Sequence, residues 1–270
     1  MLSNSLEIVG LTDVGKVRSY NEDSLIADAE NGIVAIADGM GGHRAGEVAS
    51  RTATSVAAEG LKHRVPKLHP DMEQNSPLRA VKHVLKQANR SIFEAAKTKR
   101  IYQGMGTTIA LALFFNNRVT FGHVGDSRVY RLRNDALQLL TRDDSLLRDQ
   151  VELGIIDAED AGVSHNRNLV TGALGTQEKV SIHYREDDVL PGDIFLLCSD
   201  GLSDIVEDSD IELIVKELKV NLPLAAQHLI QAANDNGGYD NISVVLVKVK
   251  AAFPMEVRKN WTNRLFGWFK

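Results

Sequence analysis

The residues Ile33-Val34-Ala35-Ile36-Ala37-Asp38-Gly39-Met40-Gly41-Gly42-His43 decide how the rest of the sequence is read. An unbroken apolar run ends in an aspartate, and a glycine-rich turn follows at once. The run has the length of a buried strand and is too short for a helix. Asp38 therefore stands at the edge of a sheet, beside backbone that is free to bend. An ionised carboxylate left alone there costs on the order of several kcal/mol unless a cation or hydrogen bonds meet it. Taken by itself, Asp38-Gly39 also fits an ordinary hairpin turn. Recurrence of the pattern argues against that simpler reading.

Val119-Thr120-Phe121-Gly122-His123-Val124-Gly125 leads into Asp126, and Ile194-Phe195-Leu196-Leu197-Cys198-Ser199 leads into Asp200-Gly201. Near the end the order reverses, and Asp240-Asn241 opens Ile242-Ser243-Val244-Val245-Leu246-Val247. Near the start, Asn21-Glu22-Asp23 precedes Ser24-Leu25-Ile26-Ala27. Acidic residues at the ends of several strands can converge on one edge of a packed sheet, which is how an oxygen-rich site for hard cations is built.

Composition narrows the classes. The chain has 270 residues, 43% of them hydrophobic, enough for one large domain or two small ones. Lys and Arg number 31 against 36 Asp and Glu, a net charge of −5, so no basic excess points to nucleic acid. The single cysteine, Cys198, excludes a disulfide within the chain and sits in an apolar run as a small core residue. Met1 to Ser5 shows no secretory signal, and no apolar stretch approaches the ~20 residues of a membrane span. A cytoplasmic protein is expected.

Taken in order, Leu6 to Leu11 alternates like a half-exposed strand, and Thr12 to Asp23 is a polar loop containing Arg18. Residues 24–29 and 33–37, separated by Asn31-Gly32, form a hairpin with the turn chemistry of that dipeptide. Val48, Ala49, Thr52, Ala53, Val56, Ala57 and Leu61 give one helical stripe, and Leu78, Val81, Leu85, Ala88, Ile92 and Ala95 give a second. Between them lies a proline-containing loop. Thr107 to Arg133 is a run of strands, the first apolar on both faces and hence covered on both sides. From Thr141 to Gly175 charge clusters replace strand patterning, which predicts a surface excursion with short helices. A strand at 193–200, helices at 208–218 and 223–235, and a closing strand at 242–250 complete the body. Strands in runs and helices in pairs predict an α+β fold with largely antiparallel sheets.

The last residues, Ala251 to Lys270, look separate. Val257, Trp261, Leu265 and Trp268 share one helical face, and Arg258, Lys259, Arg264 and Lys270 outweigh Glu256. Such a tail docks on its own domain or contacts a membrane surface or partner.

Oxygen ligands without a His or Cys cluster favour Mg²⁺ or Mn²⁺ over zinc. Two such ions, about 3.5–4 Å apart, need a bridging carboxylate and generate hydroxide near neutral pH while clamping a phosphoryl oxygen. Glycine beside an acid lets a backbone carbonyl reach a metal, one reason for Gly39 after Asp38. Neither an EF-hand loop nor a P-loop is present.

In this order, Thr12-Asp13-Val14-Gly15-Lys16-Val17-Arg18-Ser19-Tyr20-Asn21-Glu22-Asp23, Asp38-Gly39-Met40-Gly41-Gly42, Gly104-Met105-Gly106-Thr107-Thr108, Gly125-Asp126-Ser127-Arg128, Ser199-Asp200-Gly201-Leu202 and Asp240-Asn241-Ile242-Ser243 resemble the motifs of the PP2C-type metal-dependent protein phosphatases, most closely the short bacterial serine/threonine phosphatases. The resemblance covers residues 5–250. It implies a β-sandwich of two antiparallel sheets flanked by helix pairs, a catalytic domain at 1–250 with a flap at 143–170, and a tail at 251–270 outside it.

By the same resemblance, Asp38 bridges two Mn²⁺ or Mg²⁺ ions, the Gly39 carbonyl joins one, and Asp200 and Asp240 complete the other's shell. Glu22 and Asp23 act through water, Asp126 with Asp200 holds a third, weaker ion, and Arg18 grips the substrate phosphate. Hydroxide between the ions attacks phosphoserine or phosphothreonine in line, with no phosphoenzyme. Partners are phosphorylated proteins, a serine/threonine kinase or its substrates; nucleic acid is not expected.

Two positions depart from the family pattern. Met40 replaces the histidine that animal members carry after the Asp-Gly pair, so the leaving group's proton comes from elsewhere. The flap begins Asp143-Asp144-Ser145 where Asp-His-Ser is usual. Two other readings are a catalytically silent relative that binds phosphorylated partners and a metal-dependent nucleotide hydrolase, for which no base- or ribose-binding motif is present.

Overall fold

Runs of β-branched and aliphatic residues that are apolar on both faces form strands buried from both sides, and here they build a two-sheet sandwich. The computed structural model of the protein describes residues 2–41, 44–69, 72–152 and 170–254. One sheet has the order β1 (Leu6–Asp13), β11 (Ile242–Val249), β10 (Ile194–Cys198), β7 (Arg128–Arg133), β8 (Ala136–Leu139). The other has the order β2 (Asp23–Asp28), β3 (Ile33–Met40), β5 (Ile109–Phe115), β6 (Arg118–Val124), β9 (His183–Asp188), with the short β4 (Gly106–Thr107) beside β3. Neighbouring strands pair antiparallel throughout.

Between the sheets lies an apolar layer containing Val34, Ile36, Ala110, Ala112, Phe114, Phe121, Phe195, Leu197, Val245 and Val247. Phe195 meets Phe114 edge-on at 5.3 Å between ring centroids. The outer face of the β3 sheet packs on α1 (Ala45–Lys62) and α2 (Pro77–Thr98). The β10 sheet packs on α5 (Asp208–Glu217) and α6 (Leu222–Asp235). Two further helices, α3 (Leu146–Glu152) and α4 (Asp200–Ser203), are short. The α+β sandwich with helix pairs is therefore as expected. Cys198 is wholly buried, and burial pushes its thiol up to about 12, as suits an inert core residue.

Several details differ from the sequence reading. The β2–β3 hairpin is not closed by a two-residue Asn31-Gly32 turn: Asp28 pairs with Ile33, leaving residues 29–32 as the loop. The Asp28 carboxylate accepts hydrogen bonds from the backbone N–H groups of Glu30 and Asn31, each at 3.1 Å, and so holds the loop from its first corner. Strands β8 and β9 were not expected. In β9, His183-Tyr184-Arg185-Glu186-Asp187-Asp188, hydrophobic alternation is erased by charge because it is an edge strand, and its place is set by pairing with β6. Leu78, assigned to the apolar stripe of α2, is 39% exposed because it lies in the first turn, beyond the sheet's edge.

The ordered body runs past the expected boundary at 250. Phe253 packs against the inter-sheet layer, and its N–H donates to Asn117 Oδ1 at 2.5 Å. Residues 153–169 of the expected flap and 255–270 of the expected tail lie outside the described residues. Among the described residues no helix is long and apolar enough to cross a membrane.

Candidate active site

Side chains alternate along a strand, so each strand that sends residues into the inter-sheet layer continues that face to its end. At one edge of the sandwich the alternation runs out of apolar residues. Val34 and Ile36 are followed on that face by Asp38; Phe195 and Leu197 by Ser199; Val247 and Val245 by Ser243; Ala112 and Ala110 by Thr108. On β2 the same row ends in Asp23, the register partner of Asp38. The core thus closes with a polar layer instead of an aliphatic one, and the acidic residues gather there.

That layer is wired by short hydrogen bonds. Ser199 Oγ donates to Asp23 Oδ2 at 2.9 Å and accepts the Ser243 N–H at 3.0 Å. Asp38 N–H donates to Thr108 Oγ1 at 3.0 Å, and Thr108 shares a 2.7 Å hydrogen bond with Ser127. Asn241 acts as a clamp: its Oδ1 accepts the Glu22 N–H at 2.7 Å, and its amide donates to the carbonyls of Val14 and Tyr20. Arg18 Nη2 donates to Asp240 Oδ2 at 2.6 Å at the exposed mouth. The Glu22 carboxylate lies beside Gly46 at the start of α1, where the helix end favours an anion.

Glycine has a steric task at Gly39. A side chain there would collide with the Gly46 backbone of α1, so only glycine lets β3 and the helix start approach this closely.

Electrostatically the cluster is unbalanced. Asp23 and Asp126 are each 8% exposed, whereas Asp38 and Asp200 keep a partly open edge. Burial, then the charges of Asp200 and Asp23, drives Asp38 well above the usual carboxylate range. Burial and the neighbouring Asp200 and Asp240 lift Asp23 to about 8, against hydrogen bonds from Ser243 and Ser199. Burial with Asp200, Asp143 and Asp204 lifts Asp126 to about 8 as well. Burial, with the charge of Asp240 nearby, raises Asp200 as well. Asp23 Oδ1 and Asp200 Oδ1 are buried without any partner.

Among the described residues no three His, Cys, Asp or Glu side chains stand as a ready-made metal cage. The donor set nevertheless fits hard divalent cations: it is all oxygen, two of its buried oxygens are unpartnered, and its charges repel one another. A cation in this cluster would offset the mutual repulsion of the carboxylates.

The expected site residues Glu22, Asp23, Asp38, Gly39, Asp126, Asp200 and Asp240 are brought to this one edge, with Arg18 at its mouth. The serine and threonine residues of the polar layer were given no role, although each lies two positions beyond a core residue on its strand; Asn241, just before β11, was likewise given none. Also missed were the anchors of the flap's first residues. Asp143 takes a bidentate contact from Arg128, and Asp144 Oδ1 pairs with His183 Nε2 at 2.8 Å while its Oδ2 accepts the Gly125 N–H at 3.0 Å. The departure Asp144 is thus anchored by a histidine from β9, a strand the sequence reading did not contain.

Comparison with known proteins gives four concordant results. Residues 16–227 match the family described as protein phosphatase 2C. The serine/threonine phosphatase stp of Listeria monocytogenes is 38% identical over 240 residues, covering 88% of this chain and 93% of that protein. The crystal structure of the Mycobacterium tuberculosis serine/threonine phosphatase PstP/Ppp superposes with a TM-score of 0.81 at 35% identity, covering 91% of this chain and 99% of that one. The catalytic domain of PstP in complex with two manganese ions superposes with a TM-score of 0.75 at 35% identity, with the same coverage.

Proposed function

The chain belongs to the protein phosphatase 2C family, and from that premise we propose how this serine/threonine phosphoprotein phosphatase works. The observation that carries the reading is the cluster of Asp23, Asp38, Asp126 and Asp200, mutually repelling and holding unpartnered buried oxygens.

Asp38, which feels the charges of Asp200, Asp23 and Asp126, would bridge two divalent ions, manganese or magnesium. Asp200, Asp240 and the Gly39 carbonyl would complete their shells, Glu22 and Asp23 would act through water, and Asp126 with Asp200 would hold a third ion. Bound there, such ions supply Lewis acidity toward phosphoryl oxygens and a water of lowered pKa. The Ser199 hydroxyl fixes the Asp23 carboxylate, and the Thr108 hydroxyl holds the Asp38 backbone. Arg18, exposed and among the described residues tethered to Asp240, is placed to turn its planar donors onto the substrate phosphate. Met40 carries no transferable proton, so the leaving serine or threonine oxygen takes its proton from water in the cleft.

The substrates we propose are phosphorylated proteins, among them a serine/threonine kinase or its targets, in the cytoplasm. Residues 251–270, basic and tryptophan-bearing, would give a second anchor to a membrane surface or a partner.

The test is turnover of phosphoserine and phosphothreonine peptides with Mn²⁺ or Mg²⁺, with nucleoside triphosphates as competitors. Metal-dependent release of phosphate from the peptides, abolished by chelation, is expected. Peptide binding without hydrolysis would instead identify a silent phosphoprotein-binding relative, and preferential nucleotide hydrolysis would overturn the substrate class.

A further inference from the structure

Arg44 breaks three local rules at once. It is the N-cap residue of α1, yet its side chain makes no capping hydrogen bond, where Asn, Asp, Ser or Gly would serve. Its backbone is left-handed, with φ 65°, a conformation that glycine and asparagine adopt far more readily than arginine. Its positive charge sits at the positive end of the helix dipole, where an anion is favoured. Local chemistry therefore selects against arginine here, and such conflicts collect at functional positions.

The side chain is also held in place. The Arg44 guanidinium lies over the Tyr20 ring, 4.4 Å from its centroid, and Tyr20 is itself 56% exposed. Among the described residues no carboxylate pairs with Arg44. Arg44 and Arg18 line the same open cavity of about 450 Å³, together with Ser19, Tyr20, Glu22 and Asn241. A stacked, unpaired guanidinium lining the same cavity as Arg18 is a second anion contact waiting for a ligand.

We propose that Arg44 forms a subsite for an acidic side chain, a carboxylate or a second phosphate, near the phosphorylated residue, so that the enzyme selects acidic phosphosites. This rests on the phosphatase reading above, with Arg18 facing the substrate phosphate. Tyr20 serves as the platform that keeps the guanidinium extended toward the cleft.

The experiment compares kcat and KM on paired phosphothreonine peptides that differ only in carrying Glu or Lys near the phosphothreonine, for the wild-type chain, Arg44→Asn and Arg44→Glu. Asparagine suits both the cap and the left-handed backbone, so Arg44→Asn should hold or raise Tm, and changed kinetics cannot then be ascribed to misfolding. The wild-type chain should favour the Glu peptide through KM by roughly three- to tenfold at low salt, the range of an exposed charge contact, and less at high salt. Arg44→Asn should erase the preference, and Arg44→Glu should turn it toward the Lys peptide. A wild-type chain that hydrolyses both peptides with equal KM, or an unchanged preference in Arg44→Asn, overturns the subsite while leaving the phosphatase reading intact. Failure to hydrolyse either peptide overturns both.

Discussion

Asp23 and Asp38 face each other directly as register partners across the antiparallel strands β2 and β3. Side chains so placed have Cβ atoms about 4.5–5.5 Å apart, and two like charges there destabilise the pair. The sheet tolerates them because they terminate the inter-sheet face, where Leu25 and Ile36 are the preceding partners and the apolar layer ends. The fold thus places a repulsive pair at the one edge where a bound cation would turn repulsion into attraction.

This arrangement sets a pH dependence. The carboxyls of Asp23 and Asp126 are raised in the folded protein, to about 8, above their ordinary value near 4. The folded state then holds more protons than the unfolded chain between those limits, so stability falls as pH rises from about 4 to about 8. Chelated protein should show lower Tm at pH 8 than at pH 5, and Mn²⁺ should raise Tm most at the higher pH. Equal or greater stability of the chelated protein at pH 8 would contradict the mutual repulsion of the cluster.

Asp38→Asn keeps side-chain volume while removing the charge that bridges the proposed ions. Turnover should fall by orders of magnitude, whereas the metal-free protein should be more stable at pH 8 because one repelling charge is gone. Normal turnover in this variant would refute the bridging role.

Arg18→Ala should raise KM for phosphopeptide more than it lowers metal affinity, by about 1–3 kcal/mol for a charge-assisted contact. Because Arg18 also donates to Asp240, the variant leaves that carboxylate freer for metal. Metal titration beside the kinetics separates the two effects, and an unchanged KM would remove Arg18 from phosphate binding.

Asp126 lies in the turn between β6 and β7, apart from the β2–β3 pair, with Asp143 and Asp204 among its neighbours. Asp126→Ala should therefore keep two tight metal sites in calorimetric titration while turnover on phosphopeptide drops. Loss of all metal binding would make Asp126 part of the core pair's shell, and full activity would reduce it to a turn residue.

Phe253 places the end of the folded body beyond residue 250. Relative to a chain ending at Pro254, ending it at Lys250 removes the Phe253 contact and its bond to Asn117 and should lower Tm. Phe253→Ala should cost about 1–2 kcal/mol, less than a fully buried phenylalanine. Equal melting of both truncated chains would return the boundary to 250.

The sequence by itself determined the sandwich strands, the two helix pairs and the acidic residues of the site. Each of those signals is local: a continuous apolar run for a doubly covered strand, a stripe of period 3.6 for a helix, an aspartate beside glycine for a strand end. The same locality explains what it missed. β9 carries its charges on an edge, so only pairing with β6 identifies it, and with it came His183 as the partner of Asp144. The Asp28 loop required knowing the register, which no dipeptide specifies. Convergence of Asp38, Asp200 and Asp126, with Ser199, Ser243 and Thr108 beneath them, is a property of the tertiary structure. It arises because antiparallel pairing brings strand ends from distant parts of the chain to one edge, where the inward face of each strand passes from aliphatic to polar.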